Sequence, residues 1–181
     1  MARMEKFLLE GARVGIRRPT ADDCAEFIAL MQASAAFHHP WGEYPKTVES
    51  FAEYLSGRQS PGADGFLICV RESGAIAGVV NLNAIVRGYF DSAFLGYYVG
   101  APFARRGFMT EGLKQVTKFA FEELKLHRVE ANIQPGNAAS IALARKCGFR
   151  YEGFSPRYLK ILGEWRDHER WALLADDPVV S

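Results

Sequence analysis

Apolar residues along the chain follow two rhythms. Cys24, Phe27, Ile28 and Met31 recur every three to four positions, the spacing of one helix face. The same spacing returns in Val48, Phe51, Ala52 and Leu55, and again in Leu113, Val116, Ala120, Phe121 and Leu124. Short runs rich in β-branched and aromatic residues lie over 12–17, 66–71, 76–84, 93–99, 128–133, 149–160 and 165–174. They are bounded by turn residues such as Ser73-Gly74 and Leu162-Gly163-Glu164, and they predict strands.

Helix boundaries are marked by polar residues. Pro19 and Thr20 open the first helix, with Thr20 and Asp23 spaced as a capping box. The loop His38-His39-Pro40-Trp41-Gly42-Glu43-Tyr44-Pro45 ends it, and Thr47 caps the second. A third helix is expected over 110–124. Asn137 caps a fourth over 138–147, which Gly148 terminates in the left-handed conformation.

The expected order is therefore β-α-α-β-β-β-α-β-α-β-β. The central strand–helix–strand unit implies one right-handed parallel crossover. Short turns make the flanking strands antiparallel. The fold class is α/β with α+β character. It is a central mixed, mostly antiparallel sheet of about seven strands with helices on both faces, forming one domain over 1–181.

Composition narrows the function. Hydrophobic residues make up 49% and charged residues 24%, an ordinary globular balance. With 22 basic and 21 acidic residues the net charge is +1, which gives no electrostatic case for direct nucleic-acid binding or an anionic membrane. No apolar run approaches a bilayer span. Glu10 interrupts the short patch Phe7-Leu8-Leu9, so Met1-Ala2-Arg3-Met4-Glu5-Lys6 does not lead into a signal peptide. Cys24, Cys69 and Cys147 are odd in number and far apart, which predicts no disulfide, no metal site and a cytoplasmic location. Cys147 reads as a small buried residue at a helix end, with a nucleophile as the alternative.

The chemistry concentrates between the strand ending at Val99 and the next helix. There Arg105-Arg106-Gly107-Phe108-Met109-Thr110 leads into a helix N-terminus. Such a terminus carries unpaired N–H groups and about half a positive charge. Two arginines add full charges, and Gly107 lets a ligand approach the backbone. The natural partner is a phosphate-type anion; a solvated turn is the other reading. The stretch lacks the Gly-Lys-Ser/Thr of a Walker loop and the three glycines of a dinucleotide fingerprint.

This stretch resembles the pyrophosphate loop of GNAT acetyltransferases, Gln/Arg-x-x-Gly-x-Gly/Ala, here Ala104-Arg105-Arg106-Gly107-Phe108-Met109. Ala104 departs from the Gln/Arg and Met109 from the small residue. Downstream, the segment from Asn137-Ala138-Ala139-Ser140 to Gly148-Phe149 is similar to the family's Asn-x-x-Ser/Ala…Gly-Phe motif. Tyr151-Glu152-Gly153 and Gly163-Glu164-Trp165-Arg166-Asp167-His168 look like the RimJ/RimL branch, whose members acetylate the N-termini of ribosomal proteins.

The resemblance implies direct transfer from acetyl-CoA to an amine. The backbone N–H of Val99 or its neighbour would hold the oxyanion. Tyr97, Tyr98 and Val99 on one strand, with Asn132 and Ile133 on the next, would flank the pantetheine and thioester. Asn137 would bond the pantetheine arm as well as cap its helix. Arg105, Arg106, Gly107, Phe108, Met109 and Thr110 would hold the phosphates. The family's strand glutamate corresponds to Asn132, its helix tyrosine to Ala144 and the RimL-type glutamate to Leu159. Ser140 is left to protonate the thiolate, and no carboxylate base is evident, although Glu43 or a water chain is an alternative.

An enzyme without a strong base suits an α-amine, whose pKa is about 7.7–8.0, better than a lysine at about 10.4. The difference is worth about 3.5 kcal/mol of deprotonation. The loop holding His38, His39, Trp41, Glu43 and Tyr44 would line the acceptor side, with Trp41 and Glu43 as substrate contacts. Asp167 and His168 are adjacent on a strand and so face opposite sides, bracing rather than reacting. The leading expectation is a protein N-terminal acetyltransferase, monomeric or homodimeric. The alternatives are a small-molecule amine acetyltransferase and a non-catalytic CoA-binding module.

Overall fold

A computed structural model describes residues 7–178; the lead-in segment 1–6 and residues 179–181 lie outside the described residues. Among the described residues eight strands form one sheet in the order β1-β2-β3-β4-β5-β6-β8-β7. They are β1 (Leu9–Glu10), β2 (Val14–Arg17), β3 (Asp64–Val70), β4 (Ile76–Val86), β5 (Ser92–Val99), β6 (Arg128–Ile133), β7 (Arg150–Ile161) and β8 (Glu164–Leu174). Only β5 and β6 run parallel, joined by the expected helical crossover. The eighth strand is β1, whose two residues are too few to show a period.

The helices are α1 (Cys24–Ala33), α2 (Ala35–His38), α3 (Val48–Arg58), α4 (Phe108–Glu122) and α5 (Ala138–Lys146). Thr20 and Asp23 form the expected capping box, but it opens a 3-10 turn ahead of α1 rather than α1 itself. His38 does not begin the loop: α2 carries the chain one more turn and buries it. The buried face of α3 is Phe51 with Tyr54 and Leu55. Val48, at the first helical position, is 63% exposed, and Ala52 is also exposed. Helix α4 begins at Phe108 rather than Thr110, with left-handed Gly107 as its N-cap.

Strand alternation splits the interior into two cores. Along β3, Phe66 and Ile68 join Leu113, Val116 and Phe119 of α4 and Ala144 of α5. Leu67 and Cys69 turn the other way, to Phe27 and Met31 of α1 and Phe51 of α3. A period of two sends successive side chains to opposite faces, so helices cover both sides.

The feature that positions the site is a split in the sheet. β5 and β6 pair over four rungs only, from Ser92↔Arg128 to Leu95↔Ala131. Beyond these, Gly96–Val99 stays with β4, and Asn132 and Ile133 stay with β8. Gly100 N donates to Ala77 O at 2.8 Å, so Gly100 faces β4. In an antiparallel strand the preceding residue turns its backbone groups the other way, so Val99 turns its N–H and C=O toward the split.

Candidate active site

Two cavities occupy the split. The larger, about 620 Å³, runs from Phe37 and His38 past Val99 to Arg105, Gly107, Met109 and Thr110, and on to Lys146. The smaller, about 320 Å³, lies toward Trp41, Glu43, Tyr54, Asn81, Asn132 and Gln134. Trp41, Tyr44, Tyr97, Tyr98, Asn137 and Ser140 line both and form their common wall.

At one end of the larger cavity the chain makes a tight turn. Arg105 has φ 60 and Gly107 φ 79, both left-handed. Turns of this kind point backbone N–H groups into a concavity that suits an anion. The α4 N-cap supplies no side-chain acceptor, which leaves the helix's first N–H groups free for a ligand. Arg105 and Lys146 add positive charge to the lining.

The two arginines part company here. Arg105 lines the cavity, whereas Arg106 lies over the Phe108 ring at 4.9 Å and lines neither cavity. Phe108 also lines neither, because its ring is buried under the turn. Met109 reaches the cavity while its side chain packs over Gly78, where a Cβ would sit 2.3 Å from the sulfur.

A clamp holds the turn in place. Arg13 Nη1 donates to the Arg106 carbonyl at 2.9 Å, and its Nε meets Glu111 Oε2 at 3.3 Å. Glu111 Oε1 accepts from the backbone N–H groups of Arg13 and Val14 at 2.8 and 3.2 Å. Burial raises the Glu111 pKa, but these donors outweigh it and hold the carboxyl below its usual range. The clamp joins positions 98 residues apart, and nothing in the local sequence marks it.

The common wall is built by alternation and capping. Tyr98 points toward α1 and α3, where its ring stacks on Tyr44 at 3.8 Å between centroids. Tyr97 points the other way, toward α5. Asn137 Oδ1 accepts from Ser140 N at 3.1 Å, so it caps α5 and also faces both cavities. Ser140 Oγ donates to Tyr97 Oη at 2.9 Å, and Tyr97 Oη donates back to the Ser140 carbonyl at 3.2 Å. Burial raises the Tyr97 pKa above the usual phenol range, so the hydroxyl is protonated at neutral pH.

His38 is better integrated than an ordinary loop residue. Its Nε2 lies 2.8 Å from the Val99 carbonyl. Burial lowers its pKa, so at neutral pH the ring is neutral, with Nε2–H as the donor. This bond ties the aromatic loop to the free edge of β5. Trp41 closes the other side: its carbonyl accepts from Gln134 Nε2 at 3.0 Å, and its ring lies 3.2 Å from where a Gly136 Cβ would stand.

The smaller cavity is chemically neutral inside. Asn81 Oδ1 accepts from Tyr54 Oη at 2.9 Å; sequence alone does not single out either residue. Asn132 Oδ1 is buried with no protein partner. Glu43 is exposed at the rim and pairs with Lys46 at 3.2 Å. Leu159, Asp167 and His168 line neither cavity; Asp167 is exposed and His168 buried, on opposite faces of β8. Cys147 lines neither as well. Burial pushes its thiol up to about 12 and its Sγ meets the Thr110 carbonyl at 3.6 Å, so it is a packed thiol and not a nucleophile.

A split mixed sheet with an anion-suited turn at its mouth forms a long cleft fitted to an extended, phosphate-bearing ligand. Residues 13–150 match the acetyltransferase (GNAT) domain, and the chain belongs to this family of acetyl-CoA-dependent acetyltransferases. It is 32% identical over 178 residues to the probable N-acetyltransferase YjcK of Bacillus subtilis, covering 94% of this chain and 98% of that protein. It is 38% identical over 102 residues to the ribosomal protein uS5-alanine N-acetyltransferase of Escherichia coli, 56% of this chain and 53% of that protein. Among solved structures, RimJ of Mycobacterium smegmatis in complex with CoA-disulfide superposes with a TM-score of 0.83 at 29% identity, covering 90% of this chain and 82% of that one. Among the described residues no helix is long and apolar enough to cross a membrane.

Proposed function

We propose that this acetyltransferase acts on the N-terminal α-amine of a protein. The observation that carries the reading is the lining of the smaller cavity: tyrosines, Trp41 and the amides of Asn81, Asn132, Gln134 and Asn137, with Glu43 alone, at the rim, carrying a carboxylate. Such a lining neither attracts a polycation nor deprotonates a lysine. It accommodates an amine that is already partly neutral near pH 7.4. The ribosomal-protein-alanine activity named for the Escherichia coli relative supports the same acceptor class.

In this reading acetyl-CoA lies in the larger cavity with its pyrophosphate at the 105–110 turn. The acceptor nitrogen attacks the thioester carbon from the smaller cavity. The Val99 N–H stabilises the oxyanion, the C–S bond breaks, the sulfur leaves with the electron pair and takes a proton from Ser140, and the proton shed by the nitrogen replaces the one Ser140 gave up.

The test is thiol release across an amine panel. A peptide with a free N-terminal alanine or serine should be turned over at least about 100-fold faster in kcat/KM than an Nα-blocked peptide with an internal lysine, or than spermidine. Its rate should rise with pH through about 8, where the α-amine is about half deprotonated, and level off about one unit higher. Preference for lysine or spermidine refutes the acceptor assignment.

The donor side has its own test. Arg105→Ala should weaken CoA binding by about tenfold, the worth of one charge-assisted bond of about 1.5 kcal/mol. Arg106→Ala should stay within about threefold, because that side chain packs on rings. Calorimetric titration with CoA separates the two, and a reversed order would remove Arg105 from the phosphate site.

A further inference from the structure

The cavity for the amine and the cavity for the thioester share a wall, and a proton has to cross it. Acetyl transfer forms a C–N bond at a nitrogen that must then lose a proton. It also breaks a C–S bond at a sulfur that must gain one. The interior of the smaller cavity holds no carboxylate to take the first proton. What does lie between the cavities is a bonded pair of hydroxyls, Tyr97 Oη and Ser140 Oγ, 2.9 Å apart, on residues that line both.

We propose that Tyr97 is a second catalytic residue, which relays the acceptor's proton through Ser140 to the departing thiolate of CoA. Tyr97 Oη accepts the proton from the nitrogen of the tetrahedral adduct as it passes its own to Ser140 Oγ. Ser140 passes its hydroxyl proton to the sulfur. One proton leaves nitrogen, one reaches sulfur, and both hydroxyls end as they began. No external base is needed. At rest Ser140 Oγ donates to Tyr97 Oη and Tyr97 Oη to the Ser140 carbonyl; each hydroxyl both donates and accepts, and turns about its C–O bond to reverse that order for the transfer.

The fold fixes this pair from two sides. β5 alternation directs Tyr97 toward α5, and the Asn137 cap sets Ser140 in the first turn of that helix. The Tyr97 phenol, raised in pKa by burial, keeps its proton until the transfer and suits a concerted exchange rather than a standing phenolate.

The relay rests on the proposed placement of amine and thioester, but not on which amine is the natural acceptor. The assay therefore uses whichever amine the wild-type enzyme turns over fastest; if that is a polyamine, the N-terminal assignment falls while the relay is still judged.

Tyr97→Phe and Ser140→Ala should each lower kcat by roughly 100-fold, the usual worth of positioned proton transfer. CoA affinity by calorimetry and the KM for acetyl-CoA should stay within about threefold. The double variant should be no slower than the slower single, since members of one chain act as a unit. The wild-type rate in mixed light and heavy water should follow a curved, multi-proton dependence that becomes linear in Tyr97→Phe. Three results overturn the relay: Tyr97→Phe within about threefold of wild-type kcat, losses that multiply in the double variant, or a CoA affinity that falls as far as kcat does. The last would make Tyr97 a wall of the pocket only.

Discussion

Gly107→Val is expected to weaken acetyl-CoA binding by about tenfold or more while leaving the sheet and both cores folded. Gly107 sits at φ 79 as the N-cap of α4. A β-branched residue held there costs of order 1–3 kcal/mol. Its Cβ would also stand 2.8 Å from Arg13 Nη2. Arg13 can swing aside, but doing so releases the Arg106 carbonyl and the Glu111 carboxylate that it clamps. The turn then loses both its shape and its brace. Gly107→Asn separates the two causes, because asparagine tolerates the left-handed region but carries the same Cβ against Arg13; its loss of affinity should be smaller than that of the valine variant. Calorimetry with CoA and a thermal melt measure the two effects separately. Undiminished CoA binding by the valine variant would mean that the left-handed turn is irrelevant to the donor.

Phe27→Ala should have the largest effect on stability, and a selective one on substrate use. Phe27 is fully buried in the α1/α3 core, with its ring 4.9 Å from Phe51 and 5.4 Å from Tyr54. Removing a buried phenylalanine costs about 3–5 kcal/mol. For a chain of this size that lowers the melting temperature by roughly 6–20 °C. The same core supports Tyr54, which lines the smaller cavity alone, and Tyr98 and Tyr44 in the wall common to both. The anion turn rests instead on the other core, through Phe108 and Met109. At a temperature where the variant is folded, its acceptor KM should rise several-fold while CoA affinity changes little. Equal losses on both sides would show that the two cores do not act separately.

How far the sequence revealed this molecule depended on range. β6 shows a strict apolar–polar alternation between turn residues, and its bounds agree with the expected strand to the residue. The core residues of α1 and α4 were legible for the same reason. β1 is too short to carry a pattern. The start of α4 is masked because its N-cap is a glycine without a side chain to announce a helix. β7 contains a register shift between Ser155 and Leu159, with Arg157 at φ 46, which no run of residue types signals.

At the site, the Arg105–Gly107 turn was legible because two charges and a glycine stand together after the end of a strand. The opposite wall was not. His38 looks like one more polar loop residue until Val99, 61 positions away, is brought to it. Tyr97 and Tyr98 look like a pair, yet alternation separates them, one to Ser140 and one to Tyr44. Asn132 stands where the resemblance expects a glutamate; that its Oδ1 would be buried without a protein partner follows only from the fold.

The four-rung seam between β5 and β6 has a thermodynamic meaning beyond the room it makes. Past the seam, the two plates of the sheet are held across the split by few polar contacts, among them Trp41 to Gln134 and Tyr97 to Ser140. A ligand seated in the split would touch both plates and so substitute for the missing ladder. Occupancy and cohesion become linked quantities. Once the site is near saturation, each further tenfold rise in free acetyl-CoA adds about 1.4 kcal/mol to the stability of the folded chain. The protein's resistance to unfolding is thereby a readout of the acetyl-donor concentration around it.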